Sequence, residues 1–493
     1  MKRIRILLMV VLGLALAARL IIKYRSRPDT WSRIFYGIGT NSSARAADLN
    51  RDGILDIVLG AGGKEFESTD MAVIALNGSN GDTLWTVGGS NQIVGSAAFK
   101  DISGDDVPDV FIGGRTAQLY AINGVSGGII WQYLKPNQVS DSQPDTTLLN
   151  FFNLQFIPDQ NRDGVDDILT AFGGYVNAEP DDFDRPAGML MILDATSGEV
   201  LKRSAVPDGK ETYMSPVVYD FGDGLTIIFG SGGETVSGNL YALQLKDFMT
   251  SGTRNSIKID ASDTKGFVSP PIIADITGDG IGDIVVSNMD GYMKAYNGKD
   301  FSPIWSRKIH PLGETQSMPG PLYFDDDKVV DFFGSFNIGK WPKNDTTIHV
   351  VISGVNGQEI FRDTLGVLQF SSPVWLNYNK DSYPDLIHLI NIQMRNVLYP
   401  IYKTQLIVYE GKTGSKIPLD SLYEGKVLGS TPLVTDLDSD GKVDVIYTYM
   451  TQFDEFITYR DLVIKRIELD IEMNENLWGG YMGTDYSSIF KKR

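Results

Sequence analysis

The chain of 493 residues has no cysteine and only three histidines, His310, His349 and His388. Without cysteine there is no disulfide framework, no thiolate zinc site and no thiol nucleophile. The histidines fall in different parts of the chain, and no HExxH, GxSxG or glycine-lysine phosphate loop accompanies them, so no metalloprotease, hydrolase or nucleotide-phosphate signature is present. Positive charge is also scarce. Forty-four basic residues stand against 62 acidic ones, a formal charge of -18, which repels a phosphate backbone and argues against nucleic-acid binding. Long apolar runs are absent except at the start, where Lys2, Arg3 and Arg5 precede Ile6 to Ala18. That run has the length of a secretory h-region, and Leu20 to Ile22 extend it past Arg19, so residues 1–27 read either as a cleaved signal peptide or as a hydrophobic helix anchoring the chain. Both readings place residues 28–493 outside the cytoplasm, in the periplasm or on the cell surface, with membrane contact only through the N-terminal segment.

What the sequence has in abundance is aspartate at a fixed spacing. Asp48-Leu-Asn-Arg-Asp-Gly-Ile-Leu-Asp56 recurs from Asp101 to Asp109, Asp159 to Asp167, Asp275 to Asp283, Asn377 to Asp385 and Asp436 to Asp444. Two shorter copies run from Asp220 to Thr226 and from Asp325 to Asp331, so starts fall near 48, 101, 159, 220, 275, 325, 377 and 436. A period of 50 to 61 residues is that of a propeller blade. After each loop comes a β-branched run such as DIVLG or DVIYTY, then a second such as VIALNG or LYAING ending in an Asn-Gly hairpin signal, then a third with an anchor such as Trp85, Trp131 or Trp305. With the strand that leads into the next loop, each repeat holds four strands. The fold expected is therefore all-β: one propeller of four-stranded blades, eight rather than seven, with radial closure protecting the sheet edges. Trp31 stands before Asp48 much as Trp85 stands before Asp101, so residues 31–36 are expected to complete the C-terminal blade; Trp478 competes for that slot from the other end.

Oxygen donors at positions 1, 3, 5 and 9, usually with glycine at 6, can surround one hard cation as the first half of an EF-hand loop does. The expected calcium ligands are Asp48, Asn50, Asp52, Asp56 and the carbonyl of Ile54; Asp101, Ser103, Asp105 and Asp109; Asp159, Asn161, Asp163 and Asp167; Asp275, Thr277, Asp279 and Asp283; Asn377, Asn379, Asp381 and Asp385; and Asp436, Asp438, Asp440 and Asp444. The shortened loops at 220 and 325 have lost two positions and are weaker candidates. The competing reading makes each loop an Asx-turn whose aspartates bond their own backbone. The six full loops hold 20 acidic residues, so bound divalent ions would offset much of the net charge without any basic partner.

The aspartate loops resemble the FG-GAP or integrin-α-like (VCBS-type) calcium-loop propeller repeat, and LYAINGVSGGIIW and VIALNGSNGDTLW resemble the tryptophan repeat of pyrroloquinoline quinone-type propellers, found also in a bacterial outer-membrane assembly lipoprotein. The likeness covers residues 31 to 470. It implies a propeller with structural calcium, serving adhesion, assembly or ligand recognition. It does not carry the quinone over, because quinoprotein dehydrogenases of that kind have a vicinal cysteine pair and this chain has no cysteine. The function expected is a protein-protein or cell-envelope scaffold without enzyme activity, its partner another envelope or surface protein or a glycan. The alternative is a carbohydrate- or polymer-acting enzyme or glycan-binding module using the central channel. Recognition is expected in the departures from the repeat: 135–150, 179–184, 246–265 and 451–460.

Overall fold

The computed structural model describes residues 31–133, 148–179, 182–340, 343–381, 383–394, 401–451, 461–473 and 478–491. The expected N-terminal helix, and most of the departures at 135–150 and 451–460, lie outside these residues. Among those described, no helix is long and apolar enough to cross a membrane.

Eight antiparallel sheets of four or five strands follow one another along the chain. Blade 1 runs through Arg45–Ala47, Asp56–Gly60, Thr69–Leu76 and Thr83–Gly89, and each later blade repeats this inner-to-outer order. The second strands are apolar on both faces, and DIVLG, DVFIG and DIVVS are buried throughout, because neighbouring blades cover a central strand from both sides. Outer strands alternate, as Thr83–Gly89 does with Trp85 inward.

The eighth blade settles the closure. Its inner strands are Leu433–Thr435, Lys442–Thr451 and Asp461–Glu472, and its outer strand is Trp31–Tyr36, with Trp31 opposite Arg466 and Tyr36 opposite Asp461. The first described residues thus finish the last blade, as the spacing of Trp31 predicts.

Trp478 does not compete for that place. The tail from 478 to 490 lies inside the ring of inner strands, where its backbone bonds Trp375 of blade 7, Val434 of blade 8 and Ile273 of blade 5 at 2.7 to 2.9 Å. Gln155 of blade 3 donates to the Tyr486 carbonyl, and the Arg45 guanidinium of blade 1 lies 3.9 Å from the Tyr486 ring. Trp478 and Met482 are fully buried. The tail plugs the channel at the end where the aspartate loops lie, since every strand it touches enters a loop within four residues.

Tryptophans fix the angle between blades. Trp31, Trp85, Trp131 and Trp305 each donate the indole N–H to the next blade's hairpin, at Gly78, Gly124, Ala195 and Gly354, over 2.7 to 2.9 Å. Each ring lies against a left-handed glycine of that hairpin, where a Cβ at Gly81 would stand 2.6 Å from the Trp31 ring. A second belt runs nearer the axis. Ser43 receives an amide bond from Thr431 of blade 8, Ser96 one from Ser43, and Asn153 one from Ser96. Blades 1, 2, 3 and 8 are so joined through side-chain oxygens five or six residues before their loops.

Candidate functional site: the aspartate loops and the opposite face

The loops begin as backbone devices. In the first, Asp48 accepts the amides of Arg51 and Gly53, Asp52 that of Ile54, and Asp56 that of Leu49. The loops at 101, 159, 275 and 436 follow the same plan. This is the Asx-turn network that competed with the metal reading. Gly53 has φ 82°, as the turn at position 6 requires. Position 4 is left-handed as well, held by Arg51, Arg162, Lys380 and Ser439 as well as by Gly104 and Gly278.

The ninth residue does a different job. Asp56, Asp109, Asp167, Asp283, Asp385 and Asp444 are all essentially buried, and one oxygen of each accepts an amide of its own loop. In four of them the other oxygen, Oδ1, accepts the amide of a glycine on the facing hairpin: Gly78 at 3.1 Å, Gly124 at 3.1 Å, Gly298 at 2.9 Å and Gly411 at 2.8 Å. The shortened loop at 325 keeps this clamp through Asp331 and Gly354, whereas the one at 220 has Thr226 there, bonded by Gln244. Burial pushes Asp56, Asp167 and Asp444 up to about 6 and Asp331 to about 7, with neighbouring loop aspartates adding to the shift.

Loop partners differ. Amides of Asn77 and Asn123 reach the first and second loops, and Arg51 crosses to the Asp105 carbonyl. Lys299 pairs with Asp279 at 3.0 Å. Asn379 of the seventh loop donates to Glu410 of the facing hairpin. Among the described residues, Asp436, Asp438 and Asp444 are the acidic trio whose oxygens come within 4.8 Å of one another. There the cation is the chain's own: Arg466, with no exposed surface, bonds Asp444 at 2.7 Å and Asp438 at 2.5 Å and reaches the Gly78 carbonyl of blade 1. Nothing local in the sequence marks Arg466 for this role.

The donor set of the loops, carboxylates and amide or hydroxyl oxygens without nitrogen or sulfur, fits calcium. Buried loop oxygens also lack a partner: Oδ1 of Asp167, of Asn377 and of Asp438. The residues present therefore fit the ion, with the eighth loop the exception because a guanidinium fills its acidic trio.

The opposite mouth of the channel is polar and cross-braced. Arg115 bonds Glu65 and Arg185 bonds Glu211, both at 2.7 Å, while Lys265 bonds Glu314. Gln316 donates to Glu234 at 2.5 Å and Tyr213 to Glu211 at 3.1 Å. These contacts tie blades 1 to 2, 3 to 4, 5 to 6 and 4 to 6. Burial raises the Glu234 carboxyl above its usual range, and Glu211 and Glu314 raise it further. Phe66, Phe183 and Leu312, on connectors of this face, are 50%, 67% and 64% exposed. The departures at 179–184 and 246–265 hold Phe183 and Lys265 of this face, whereas Glu65, Arg115, Glu211, Glu234 and Glu314 stand singly in connectors that sequence reasoning did not single out. The histidines behave as packed groups: His349 and His388 are fully buried, with His349 bonded to Ser335 and the Leu365 carbonyl.

No family model matches the chain. It is similar to Protein FAM234B of Mus musculus, 25% identical over 357 residues that cover 66% of this chain and 53% of that protein. It is also similar to the Gallus gallus protein of that name, 22% identical over 457 residues, 82% of this chain and 66% of that protein. The chain spans between about half and two thirds of the length of these relatives. Solved structures it resembles include a europium-containing methanol dehydrogenase (TM-score 0.53, 10% identity, 89% of this chain and 93% of that one). A quinohemoprotein alcohol dehydrogenase from Comamonas testosteroni gives TM-score 0.52 and 12% identity over 92% of this chain and 79% of the other. Sqt1 of Saccharomyces cerevisiae gives 0.50 and 10% over 90% and 99%. These likenesses show the fold. The chain is an eight-bladed β-propeller.

Proposed function

We propose that this chain is an extracytoplasmic binding scaffold, a calcium-stabilised propeller that presents the face opposite its aspartate loops to another envelope or surface protein. The observation that carries the reading is the division of labour between the two ends of the channel. The loop end is filled by the chain's own tail, while the other end is a braced polar platform bearing the exposed Phe66, Phe183 and Leu312. Apolar side chains standing on a rigid, charged surround suit a protein interface, where a few such anchors carry most of the binding energy. The FG-GAP-type loop likeness supports structural calcium, and the N-terminal apolar run supports export with or without an anchor.

Crosslinking in the native envelope followed by mass spectrometry tests the partner, with Phe183→Asp and Leu312→Asp as surface controls. A consistent protein lost in both variants supports the scaffold; recovery of that partner from both variants would move the site elsewhere. Melting in EGTA tests the calcium, an unchanged midpoint removing it. N-terminal sequencing of the exported protein distinguishes cleavage from anchoring.

A second reading, glycan binding or polymer cleavage, is favoured by Glu211, Glu234 and Glu314 gathering at the open mouth. Reducing-end release from a panel of envelope glycans separates it from the scaffold.

A further inference from the structure

The third loop breaks the hairpin rule. Where the loops at 48, 101, 275, 325 and 377 face an Asn-Gly or another X-Gly pair, this one faces Asp194-Ala195. The glycine matters for access. A Cβ at Gly78, Gly124, Gly298, Gly354 or Gly411 would stand only 1.9 to 2.1 Å from the carbonyl oxygen that precedes the ninth loop residue. A side chain at this corner forbids that approach, and the Ala195 amide makes no bond to Asp167. Oδ1 of Asp167 is consequently buried with no hydrogen-bond partner, on a residue 1% exposed. A second change accompanies the first, since the residue that is asparagine at 77, 123 and 297 is here a carboxylate. Asp194 is tied by Thr196 at 2.7 Å and Ser197 at 2.7 Å, and Thr196 also reaches Asp163 at 3.4 Å, which holds the turn against the loop. Among the described residues, no Lys or Arg pairs with Asp159, Asp163, Asp167 or Asp194.

A hairpin that withdraws its donor leaves Oδ1 of Asp167 buried and unpaired beside Asp159, Asp163 and Asp194, and a buried carboxylate oxygen without a partner is unfavourable unless a cation joins it. We propose that the loop 159–167 together with Asp194 forms the tightest calcium site of the molecule, Asp194 being a ligand supplied by the facing hairpin and Oδ1 of Asp167 completing the set. The inference rests on reading the loops as calcium sites. Its converse is the eighth loop, where Arg466 takes the position of the ion and calcium binds weakest.

The test is a calorimetric titration of the decalcified full chain with CaCl2, with MgCl2 as reference. Asp194→Asn, which installs the residue found in three other blades, is expected to weaken the tightest site by roughly tenfold or more. Ala195→Gly lets the amide close on Asp167 and is expected to weaken the same site while raising the melting midpoint in EGTA. Should Asp194→Asn fail to fold, Ala195→Gly decides alone. Wild-type protein that takes up calcium with a tightest affinity unmoved by both variants overturns the assignment to this loop. Wild-type protein that takes up no calcium overturns the calcium reading as a whole.

Discussion

The third and eighth loops share a backbone plan, and each leaves a carboxylate oxygen buried without a hydrogen-bond partner, Oδ1 of Asp167 and Oδ1 of Asp438. They differ in where the positive charge comes from. In the eighth, Arg466 reaches in from the adjacent strand, bonds Asp438 and Asp444 and continues to the Gly78 carbonyl, so one side chain neutralises a loop and staples blade 8 to blade 1. In the third, the facing hairpin adds Asp194 instead. A covalently supplied cation is always present and cannot be regulated; a site that must recruit one answers to its surroundings.

The largest effect should come from making the eighth loop resemble the third. Arg466→Met leaves Asp444 buried without its partner, and chemical denaturation in EGTA should show a loss of about 3–5 kcal/mol, part of which CaCl2 restores. Acid separates these loops from a different buried set. Burial lowers His349 to about 4 from its ordinary 6.5 and, with His349 beside it, also lowers His388. The unfolded chain takes up those protons first, so stability present above pH 6.5 is lost as pH falls toward 4, by about 3 kcal/mol for His349 alone. Urea midpoints of His349→Gln should fall less steeply over that range than those of the wild type. Docking of the third-loop hairpin is a smaller matter: Trp131→Phe removes the bond to the Ala195 carbonyl and should cost about 1 kcal/mol in the same assay. Arg51→Gln, at an exposed side chain reaching the second loop, should change the midpoint by less than about 1 kcal/mol.

Much of this was legible before the coordinates. Spacing of Asp48, Asp101 and their successors fixes the blade count, and the place of Trp31 before Asp48 reveals the closing strand. Asn-Gly and other X-Gly pairs reveal the hairpins, and the replacement Asp194-Ala195 stands in plain view within LDATSG, though its meaning depends on knowing that a glycine amide elsewhere reaches the ninth aspartate. Other features were out of reach for physical reasons. Arg466 acts 22 residues from Asp444 and 388 from Gly78, through a register that only strand pairing sets. The tail at Trp478 has no strand period because it bonds single residues of several blades. The glutamates of the opposite mouth meet only because the ring bends their connectors together.

The plug and the closing strand also bear on how the molecule is made. Trp31 pairs with Arg466, and the tail that fills the axis follows that strand, so the last contacts to form join segments separated by nearly the whole described chain. Such a ring has high contact order, and until those segments arrive its first and last blades present unpaired strand edges and an open apolar axis. Folding should therefore be slow, and its late intermediates prone to aggregate through the edge that Trp31–Tyr36 will cover.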